Sequence, residues 1–325
     1  MWVKSLNINN LRNISSTQLE PDPCLNCFIG GNGAGKTSVL EALTVLSKGR
    51  SFRSGQIASL IGPEHDHFQV IAKIESHGGE IDQLGMERGK DYWKARQNGQ
   101  DVSQLSELTE RLPYVLLAPS SHTLVSGPPD GRRKYLDWGV FHVEHEFLTL
   151  WRRYTRALKQ RNAALRQKNG LIVESLEPQL IQTGEELHQA RQQHAERLSE
   201  MLQKKLPLFN QTLDGLKLSY RKGWAGESFG EALELARDRD MDRGLTGPGP
   251  HKADLYLTLN GTVAKERLSR GEQKALTAAM IIAQAELICL SGEKPLLLLD
   301  DLSSELDEEH LLNVLEAGLK LGVQI

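Results

Sequence analysis

Polar and apolar residues alternate in short runs in the first third of the chain, as they do in β-strands. The alternation between Phe68 and Ile74 predicts a strand with one buried face. Asn98-Gly99, between two polar–apolar stretches, predicts a hairpin turn. The apolar run at 112–119, which is bounded by prolines, predicts a buried strand. We therefore expect mixed strands and one helix in this third of the chain.

The middle of the chain changes to a helical period. From about Glu144 to Lys168, apolar residues recur at alternating steps of four and three, which is typical of a helix packed on another helix. These residues are Phe147, Trp151, Tyr154, Leu158 and Leu165. A second series, after Asn169-Gly170 and Pro178, consists of Leu180, Leu187, Leu198 and Met201. The pattern predicts an antiparallel helical arm that closes near Pro207.

Strand patterns return after the arm. Leu255, Leu257 and Leu259 alternate into a turn at Asn260-Gly261, and the apolar run 295–299 predicts a fully buried parallel strand. We predict an α/β fold with a mixed or parallel sheet and helices. Its head spans 1–130 and 210–325, and the helical arm is inserted at 131–209.

The composition is compatible with this architecture. The chain has 325 residues, of which 39% are hydrophobic, enough to bury a large core. A net charge of -3 does not favour nucleic acid overall, so any DNA contact must come from a local basic patch. No apolar run reaches the roughly 18 residues of a membrane span, and Lys4 is not followed by the apolar core of a signal peptide. We expect a cytoplasmic protein without membrane contact.

The three cysteines argue against a disulfide framework, because their number is odd. Cys24 and Cys27 form one C-x-x-C pair, but no second pair or nearby His supplies the four ligands of a zinc site. We expect Cys27 to pack at the start of a strand, and Cys289 in an apolar helix.

Residues 30–37 fit the phosphate-binding pattern G-x-x-x-x-G-K-[ST]. They are Gly30, Gly31, Asn32, Gly33, Ala34, Gly35, Lys36 and Thr37. The apolar pair Phe28-Ile29 is expected to enter the loop as a strand, and 38–43 to leave it as a helix whose N-terminus attracts anions. Lys36 would reach the β- and γ-phosphates and Thr37 would bind Mg²⁺. The alternative is a glycine-rich turn without a ligand. Because all fixed positions of the pattern are present, the sequence favours a bound nucleoside triphosphate.

Two carboxylates follow the apolar run near the end of the chain. Asp300 is expected to hold Mg²⁺, directly or through water, and Asp301 to orient an attacking water and accept its proton. Acidic residues that merely cap the next helix are the alternative.

A second anion-binding helix end is predicted at Ser269 and Gly271. Ser269 and Glu272 have the spacing of a capping box. Ser269 with Gly271 also resembles the Leu-Ser-Gly-Gly-Gln signature of ABC-type ATPases, although Arg270 replaces a glycine. The segment 304–307 resembles the D-loop of those enzymes.

Within that superfamily the chain resembles, nearly end to end, the RecF family of bacterial recombination mediators, which is related to the SMC proteins. The resemblance is carried by segments 6–14, 49–53, 131–137 and 249–254. It implies an ABC-type P-loop ATPase head with an inserted helical arm lobe, ATP and Mg²⁺ as cofactors, and nucleotide contacts from Arg12 and Asn13. It further implies a role in DNA repair, replication and the SOS response, with RecR and RecO as partners where RecA is loaded.

The resemblance to ABC heads also implies a mechanism. Two chains head to tail would enclose ATP between Lys36 of one and Ser269 and Gly271 of the other. This ATP-switched dimer would clamp double-stranded or gapped DNA and release it after slow, DNA-stimulated hydrolysis. Asp301 stands where transport ATPases carry Glu, which predicts slow turnover. Two alternatives remain. The ATPase subunit of a membrane transporter is disfavoured because such subunits lack the inserted arm. A small chromosome-organising head is disfavoured because this arm is too short.

Basic residues on the first arm helix are candidate contacts to the DNA backbone. They are Arg152, Arg153, Arg156, Lys159, Arg161, Arg166 and Lys168. A solvated helix surface explains the same pattern equally well. Further candidates, any of which could instead pair with an acid, are Arg50, Arg53, Arg132 and Arg133.

Two features depart from the ABC pattern. Ser120-Ser121-His122 leaves the Q-loop contact unassigned. The chain stops at 323–325, where a strand leading to the switch residue is expected, so we expect a truncated sequence.

Overall fold

The computed structural model describes residues 1–76, 78–302 and 306–325, and the chain divides into two compact units. The first unit comprises Met1–Ser121 and Gln284–Ile325, and the second comprises His122–Ala283. The second unit holds both the long helices and the strands that follow them. The head and arm boundaries expected from the sequence stay a prediction.

An antiparallel sheet of six strands forms one part of the first unit. In chain order the strands are β1 (Trp2–Leu11), β2 (Ile14–Leu19), β3 (His67–Glu75), β4 (Ile81–Gly89), β5 (Trp93–Gln97) and β6 (Gln100–Asp101), and their order in the sheet is β2-β1-β3-β4-β5-β6. The alternation predicted for β3 is confirmed, since Phe68, Val70, Ala72 and Ile74 are buried. The predicted hairpin turn is also confirmed at Asn98-Gly99, where both residues have positive φ.

A parallel pair of strands forms the other part of the first unit. Strand β7 (Tyr114–Leu117) pairs with β11 (Leu296–Leu299), which confirms both buried strands predicted from the sequence. The Leu297 N–H donates to the Gln324 carbonyl. The Gln324 side chain in turn accepts from the Val3 N–H at 2.7 Å and donates to the carbonyls of Val3 and Asp22. Both ends of the chain are therefore fastened to this unit.

The helices of the first unit are α1 (Lys36–Lys48), α2 (Leu105–Arg111) and α10 (Glu308–Leu321). Helix α1 contacts β1, β3 and β4 and so covers one face of the six-stranded sheet. Both of its ends are fixed by glycines in the left-handed region, Gly35 before it and Gly49 after it.

The prediction that a strand enters the phosphate loop is wrong. The Asn26 N–H donates to the Ile325 carbonyl, but residues 25–30 belong to no named strand. Ile29 is 91% exposed, and Cys27 is exposed rather than packed. The backbone of 24–26 pairs with Ile325, and Phe28 and Ile29 lie at the surface.

The second unit is mainly helical. Its helices are α3 (Thr123–Ser126), α4 (Pro129–Val143), α5 (Phe147–Arg166), α6 (Gly170–Phe209), α7 (Phe229–Arg243) and α8 (Ala264–Arg267); α9 (Arg270–Leu290) begins in this unit and contains the boundary. An antiparallel sheet of β8 (Leu216–Arg221), β9 (Asp254–Leu259) and β10 (Thr262–Val263) completes it. Short 3₁₀ turns elsewhere in the chain are Ile57–Ser59, Pro119–His122, Gln211–Leu213 and Pro250–Lys252.

Helices α5 and α6 pack on each other and confirm the pair of long helices predicted from the sequence. The apolar positions predicted for the second helix are all buried. Two details differ: α6 begins at Gly170, capped by the Asn169 side chain, so Pro178 lies inside the helix, and Trp151 of α5 is exposed. The alternating Leu255 and Leu257 are buried in β9 as predicted.

Helix α9 corrects the expectation that no stretch is apolar enough to cross a bilayer. By length and composition alone it passes that test, with a mean hydropathy of 1.3 over 18 residues. However, 72% of that window is buried inside the protein, as in the core helix of a folded domain. Its apolar character is thus accounted for by packing.

A buried ionic network joins α5, α6 and α7 and corrects one predicted DNA contact. Arg161 is fully buried and donates to Glu177 and to Asp240, each at 2.9 Å. It also donates to the Thr246 hydroxyl at 2.9 Å. A basic residue with these partners cannot face solvent, so Arg161 is structural.

We expect the change Arg161→Ala to lower the free energy of unfolding by about 3–5 kcal/mol, because it leaves Glu177 and Asp240 buried without their cation. Arg156→Ala on the exposed face of the same helix is the matched control and is expected to change it by about 0.5 kcal/mol or less. Urea unfolding followed by circular dichroism measures both. Equal stability of the two variants would contradict the structural role of Arg161.

Candidate functional site

The phosphate-binding loop lines an open cleft of about 1410 Å³ in the first unit. Gly33 and Gly35 have φ values of 79° and 94°, in the left-handed region that favours glycine. A Cβ at Gly35 would also lie 3.3 Å from Ile14 Cγ1. Helix α1 begins directly after this glycine, so the N–H groups of its first turn lie at the loop. The loop has the geometry of an anion site.

The two polar residues that end the loop form hydrogen bonds within it and to the end of β11. Lys36 Nζ donates to the carbonyls of Gly30 and Gly31 at 2.7 and 3.0 Å, which places its ammonium within the loop. The Thr37 hydroxyl donates to Asp300 Oδ1 at 2.8 Å. The structure thus brings together residues that are 263 positions apart in the sequence.

Asp300 and Asp301 have different environments. Asp300 is 8% exposed, and its burial raises the pKa of its carboxyl, which the hydrogen bond from Thr37 partly opposes. Asp301 is exposed and has φ of 49°, which is uncommon for a residue with a side chain. The strand β11 therefore delivers one buried and one exposed carboxylate to the same cleft.

The oxygens of Thr37 and Asp300 suit Mg²⁺, which prefers hard oxygen ligands beside phosphate groups. Their hydrogen bond shows that the two side chains meet beside the loop. Among the described residues, no group of three or more His, Cys, Asp or Glu side chains is arranged to hold a metal by itself. A magnesium ion here would need further ligands from phosphate or water.

Arg12 and Asn13 lie beside the loop, at the turn between β1 and β2. The Asn13 side chain donates to the Gly33 carbonyl and accepts from the Ser38 hydroxyl at 3.2 Å. Arg12 forms a two-pronged pair with Glu41, at 2.9 and 2.8 Å. Asn13 thus supports the loop, while Arg12 is oriented by an acid on α1.

Glu41 is a residue of the site that sequence reasoning missed. It is fully buried, pairs with Arg12 and accepts a hydrogen bond from the Ser51 hydroxyl. The hydrogen bond from Arg12 to Glu41 raises the pKa of the Arg12 guanidinium. One acidic residue within the apolar run of α1 was the available signal, because a buried carboxylate needs a partner.

The predicted second anion site lies in the second unit, and its helix end is confirmed. The Ser269 N–H donates to Glu272 at 2.8 Å, and the Glu272 N–H donates to the Ser269 hydroxyl at 3.3 Å, which is a complete capping box. Hydrogen bonds from Ser269 lower the pKa of Glu272. Ser269, Arg270 and Gly271 are all exposed. Ser304 and Glu305 of the predicted D-loop lie outside the described residues.

The candidate DNA contacts fall into two groups. Arg132 donates to both carboxylate oxygens of Asp254, at 2.7 and 3.0 Å, and Arg133 donates to the Ala253 carbonyl at 2.9 Å. These two arginines hold α4 to the start of β9. Exposed basic residues on α5 are Arg152, Arg153, Arg156, Lys159 and Arg166. This second group presents a basic surface, and the further candidates Arg50, Arg53 and Lys168 are exposed as well.

Comparison with known proteins gives consistent matches over the whole chain. The family model described as RecF/RecN/SMC N terminal domain matches residues 2–320. The DNA replication and repair protein RecF of Xanthomonas axonopodis pv. citri (strain 306) is 40% identical, with 100% of this chain and 90% of the relative covered. The protein of the same name from Stenotrophomonas maltophilia (strain R551-3) is 39% identical, with 100% and 92% covered.

Solved structures match the fold. The structure of the recombination mediator protein RecF-ATP in the RecFOR pathway has a TM-score of 0.88 at 25% identity, with 99% of this chain and 90% of that chain covered. An Smc head domain from Pyrococcus furiosus, bound to the C-terminal domain of ScpA, has a TM-score of 0.58 at 13% identity, with 99% and 88% covered. The α/β fold predicted from the sequence, an ABC-type ATPase head, is confirmed.

Proposed function

The chain belongs to the RecF family, and from this premise we propose that it is an ATP-dependent DNA-binding protein of recombinational repair and replication. The observation that carries the proposal is the contact between Thr37 at the end of the phosphate loop and Asp300 at the end of β11. Membership alone fits several nucleotide-dependent roles. The contact adds an assembled site in which a triphosphate and its magnesium ion would be held by loop and strand together.

In the proposed site the amides of 30–37 bind the phosphates, and Lys36 Nζ turns from the loop carbonyls to the β- and γ-phosphate oxygens. Thr37 and Asp300 would hold Mg²⁺, which supplies charge neutralisation at the phosphates. Asp301, exposed at the cleft, orients the attacking water and accepts its proton. Arg12 and Asn13 complete the nucleotide contacts. We propose a weak, DNA-stimulated ATPase that acts as a timer.

The switch in this proposal is a homodimer that forms with ATP. Ser269 and Gly271 are exposed at a helix N-terminus, where a hydroxyl and backbone N–H groups are available to a phosphate of another chain. A γ-phosphate held by Lys36 of one chain and by Ser269 of its partner favours the closed state, since a ligand shifts the population toward the state that it binds better. Hydrolysis removes the bridging group and releases the dimer.

The proposed ligand of the dimer is double-stranded DNA, including gapped DNA and single-strand junctions. The exposed basic face of α5 supports this, because cations in a row along a helix suit a phosphate backbone and need no base contacts. We place the protein in the cytoplasm at the nucleoid, with RecR and RecO as partners in loading a recombinase. These assignments follow from membership of the family.

We expect the change Lys36→Arg to abolish ATP hydrolysis, because a planar guanidinium does not reproduce the point charge and reach of an ammonium in the loop. Phosphate release is measured in a membrane-free preparation, with and without duplex DNA. The wild type is expected to be slow and to be stimulated by the duplex. Lys73→Arg, at an exposed position of β3, is the control and should retain the wild-type rate. Hydrolysis by the Lys36 variant would remove the loop from the mechanism.

We expect the change Ser269→Ala to weaken the ATP-dependent dimer by about tenfold or more, the effect of losing one hydrogen bond to a charged group. Ser228→Ala is the matched control, since Ser228 caps α7 in the same way, with its side chain accepting from the Glu231 N–H at 3.2 Å. Light scattering after gel filtration with ATP, with ADP and without nucleotide measures the dimer. Dimers that ignore nucleotide, or equal effects of the two serines, would contradict the switch.

We expect the double change Arg153→Ala and Arg156→Ala to weaken duplex binding and to lower the slope of log affinity against log salt by about 1 to 2. Lys204→Ala with Arg239→Ala removes the same charge from exposed positions of α6 and α7 and is the control. Fluorescence anisotropy of a labelled duplex with ATP measures both. Equal losses in the two double variants would favour a general charge effect over a contact surface on α5.

A further inference from the structure

A hydrogen bond joins the N-terminal end of α9 to the turn that follows α6. The Thr212 hydroxyl donates to Glu272 Oε1 at 2.9 Å. Thr212 lies in the short 3₁₀ turn Gln211–Leu213, and Glu272 lies in the first turn of α9, three residues after Ser269. Both residues belong to the second unit. The contact therefore connects the end of α6 with the capping box of α9.

The end of α6 fixes the position of Thr212. The Thr212 N–H donates to Asn210 Oδ1 at 2.8 Å, and the Asn210 N–H donates to the Leu206 carbonyl of α6 at 2.9 Å. The next residue in the turn, Leu213, is fully buried. The Thr212 hydroxyl also lies 2.7 Å from Asn210 Oδ1, so two acceptors compete for its one proton. The carboxylate is favoured, because a hydrogen bond to an ionised acceptor is about twice as strong as one to a neutral acceptor.

The Glu272 carboxylate receives hydrogen bonds from two segments of the chain. Its Oε2 accepts from the Ser269 N–H at 2.8 Å, and its Oε1 accepts from Thr212. A hydrogen bond from the Ser269 side chain is the largest cause that lowers the pKa of the Glu272 carboxyl. The Ser269 N–H and the Thr212 hydroxyl lower this pKa further, and burial opposes them. The Ser269 hydroxyl thus has a carboxylate beside it that accepts its proton.

This carboxylate competes with a phosphate for the proton of Ser269. Glu272 occupies the place of the glutamine in the Leu-Ser-Gly-Gly-Gln signature, so a negative charge lies beside the hydroxyl. Because a hydroxyl donates one hydrogen bond, a phosphate receives it only when the carboxylate loses it. A second donor to Glu272 lowers the cost of that exchange, since the carboxylate stays hydrogen-bonded after the Ser269 hydroxyl has turned to the phosphate.

We propose that Thr212 is a positioning residue for the ATP-dependent dimer. By donating to Glu272, it keeps the carboxylate hydrogen-bonded and leaves the Ser269 hydroxyl to the γ-phosphate held by the other chain. Thr212 does not contact the phosphate and acts through Glu272. This role rests on the proposed function, in which Ser269 binds the phosphate, whereas the hydrogen bond between Thr212 and Glu272 does not.

The first experiment measures the dissociation constant of the dimer with ATP by analytical ultracentrifugation. Thr212→Val keeps the shape of the side chain and removes the hydroxyl, and we expect it to weaken the dimer about fivefold, the effect of one hydrogen bond. Thr212→Ser restores the hydroxyl and should lie within about twofold of the wild type. Thr149→Val is the matched control, because Thr149 is an exposed threonine on α5 of the same unit. It should also lie within about twofold.

A double-variant cycle tests whether Thr212 acts through Glu272. In a Glu272→Gln background, the effect of Thr212→Val is expected to fall below about twofold, because a neutral amide holds the Ser269 proton less strongly than a carboxylate does. A fivefold effect in both backgrounds would overturn the role of Glu272. Equal effects of Thr212→Val and Thr149→Val would overturn the role of Thr212.

The second experiment follows the Glu272 carboxyl by carbon-13 NMR, with its signal assigned by its loss in Glu272→Gln. Thr212→Val is expected to raise the pKa of Glu272, because it removes a donor to the charged form, and Thr149→Val is expected to leave it unchanged. A wild type that forms no dimer with ATP would overturn the proposed dimer, and with it the role of Thr212, even where this pKa rises. A wild type that dimerises, while Thr212→Val changes neither the dimer nor the pKa, would overturn this inference alone.

Discussion

The hydrogen bond from Thr37 to Asp300 is the contact on which the candidate site depends. It joins the start of α1 to the end of β11, two elements that are distant in sequence. Each group alone has an ordinary structural explanation, as a helix residue or as a residue after a strand. Together, beside a loop whose glycines require left-handed backbone, they define where a phosphate and its cation are held. The site therefore forms only when the folded chain brings these two residues together.

The surroundings of this contact are built to fix it. Strand β11 is held in register by β7, and the Asp300 N–H donates to the Leu117 carbonyl at 2.9 Å. On the other side, Asn13 holds the loop through Gly33, and the buried Glu41 ties α1 to Arg12. Such hydrogen bonds orient the groups that contact a ligand, and they account for the buried carboxylate of Glu41 in the apolar helix α1.

Elements that depend on neighbouring residues were predicted well from the sequence. Features that depend on partners distant in the sequence were not. The alternation in β3, the turn at Asn98-Gly99 and the phosphate loop depend on neighbouring residues, so the sequence contains them directly. Arg161 looked like a surface cation because its partners, Glu177 and Asp240, come from other helices. The strand expected at 28–29 is not formed: these residues belong to no named strand, and the backbone pairing beside them involves 24–26.

The Gln324 side chain, which bonds to the backbone of Val3, has a consequence for biosynthesis. The N-terminal strand finds this partner only after residue 324 has been synthesised, whereas 122–283 form a compact unit from a continuous stretch. Since domains fold as units during translation, the interior unit has its complete sequence first. The N-terminal strand therefore gains its hydrogen bonds to Gln324 only after the interior unit has its complete sequence.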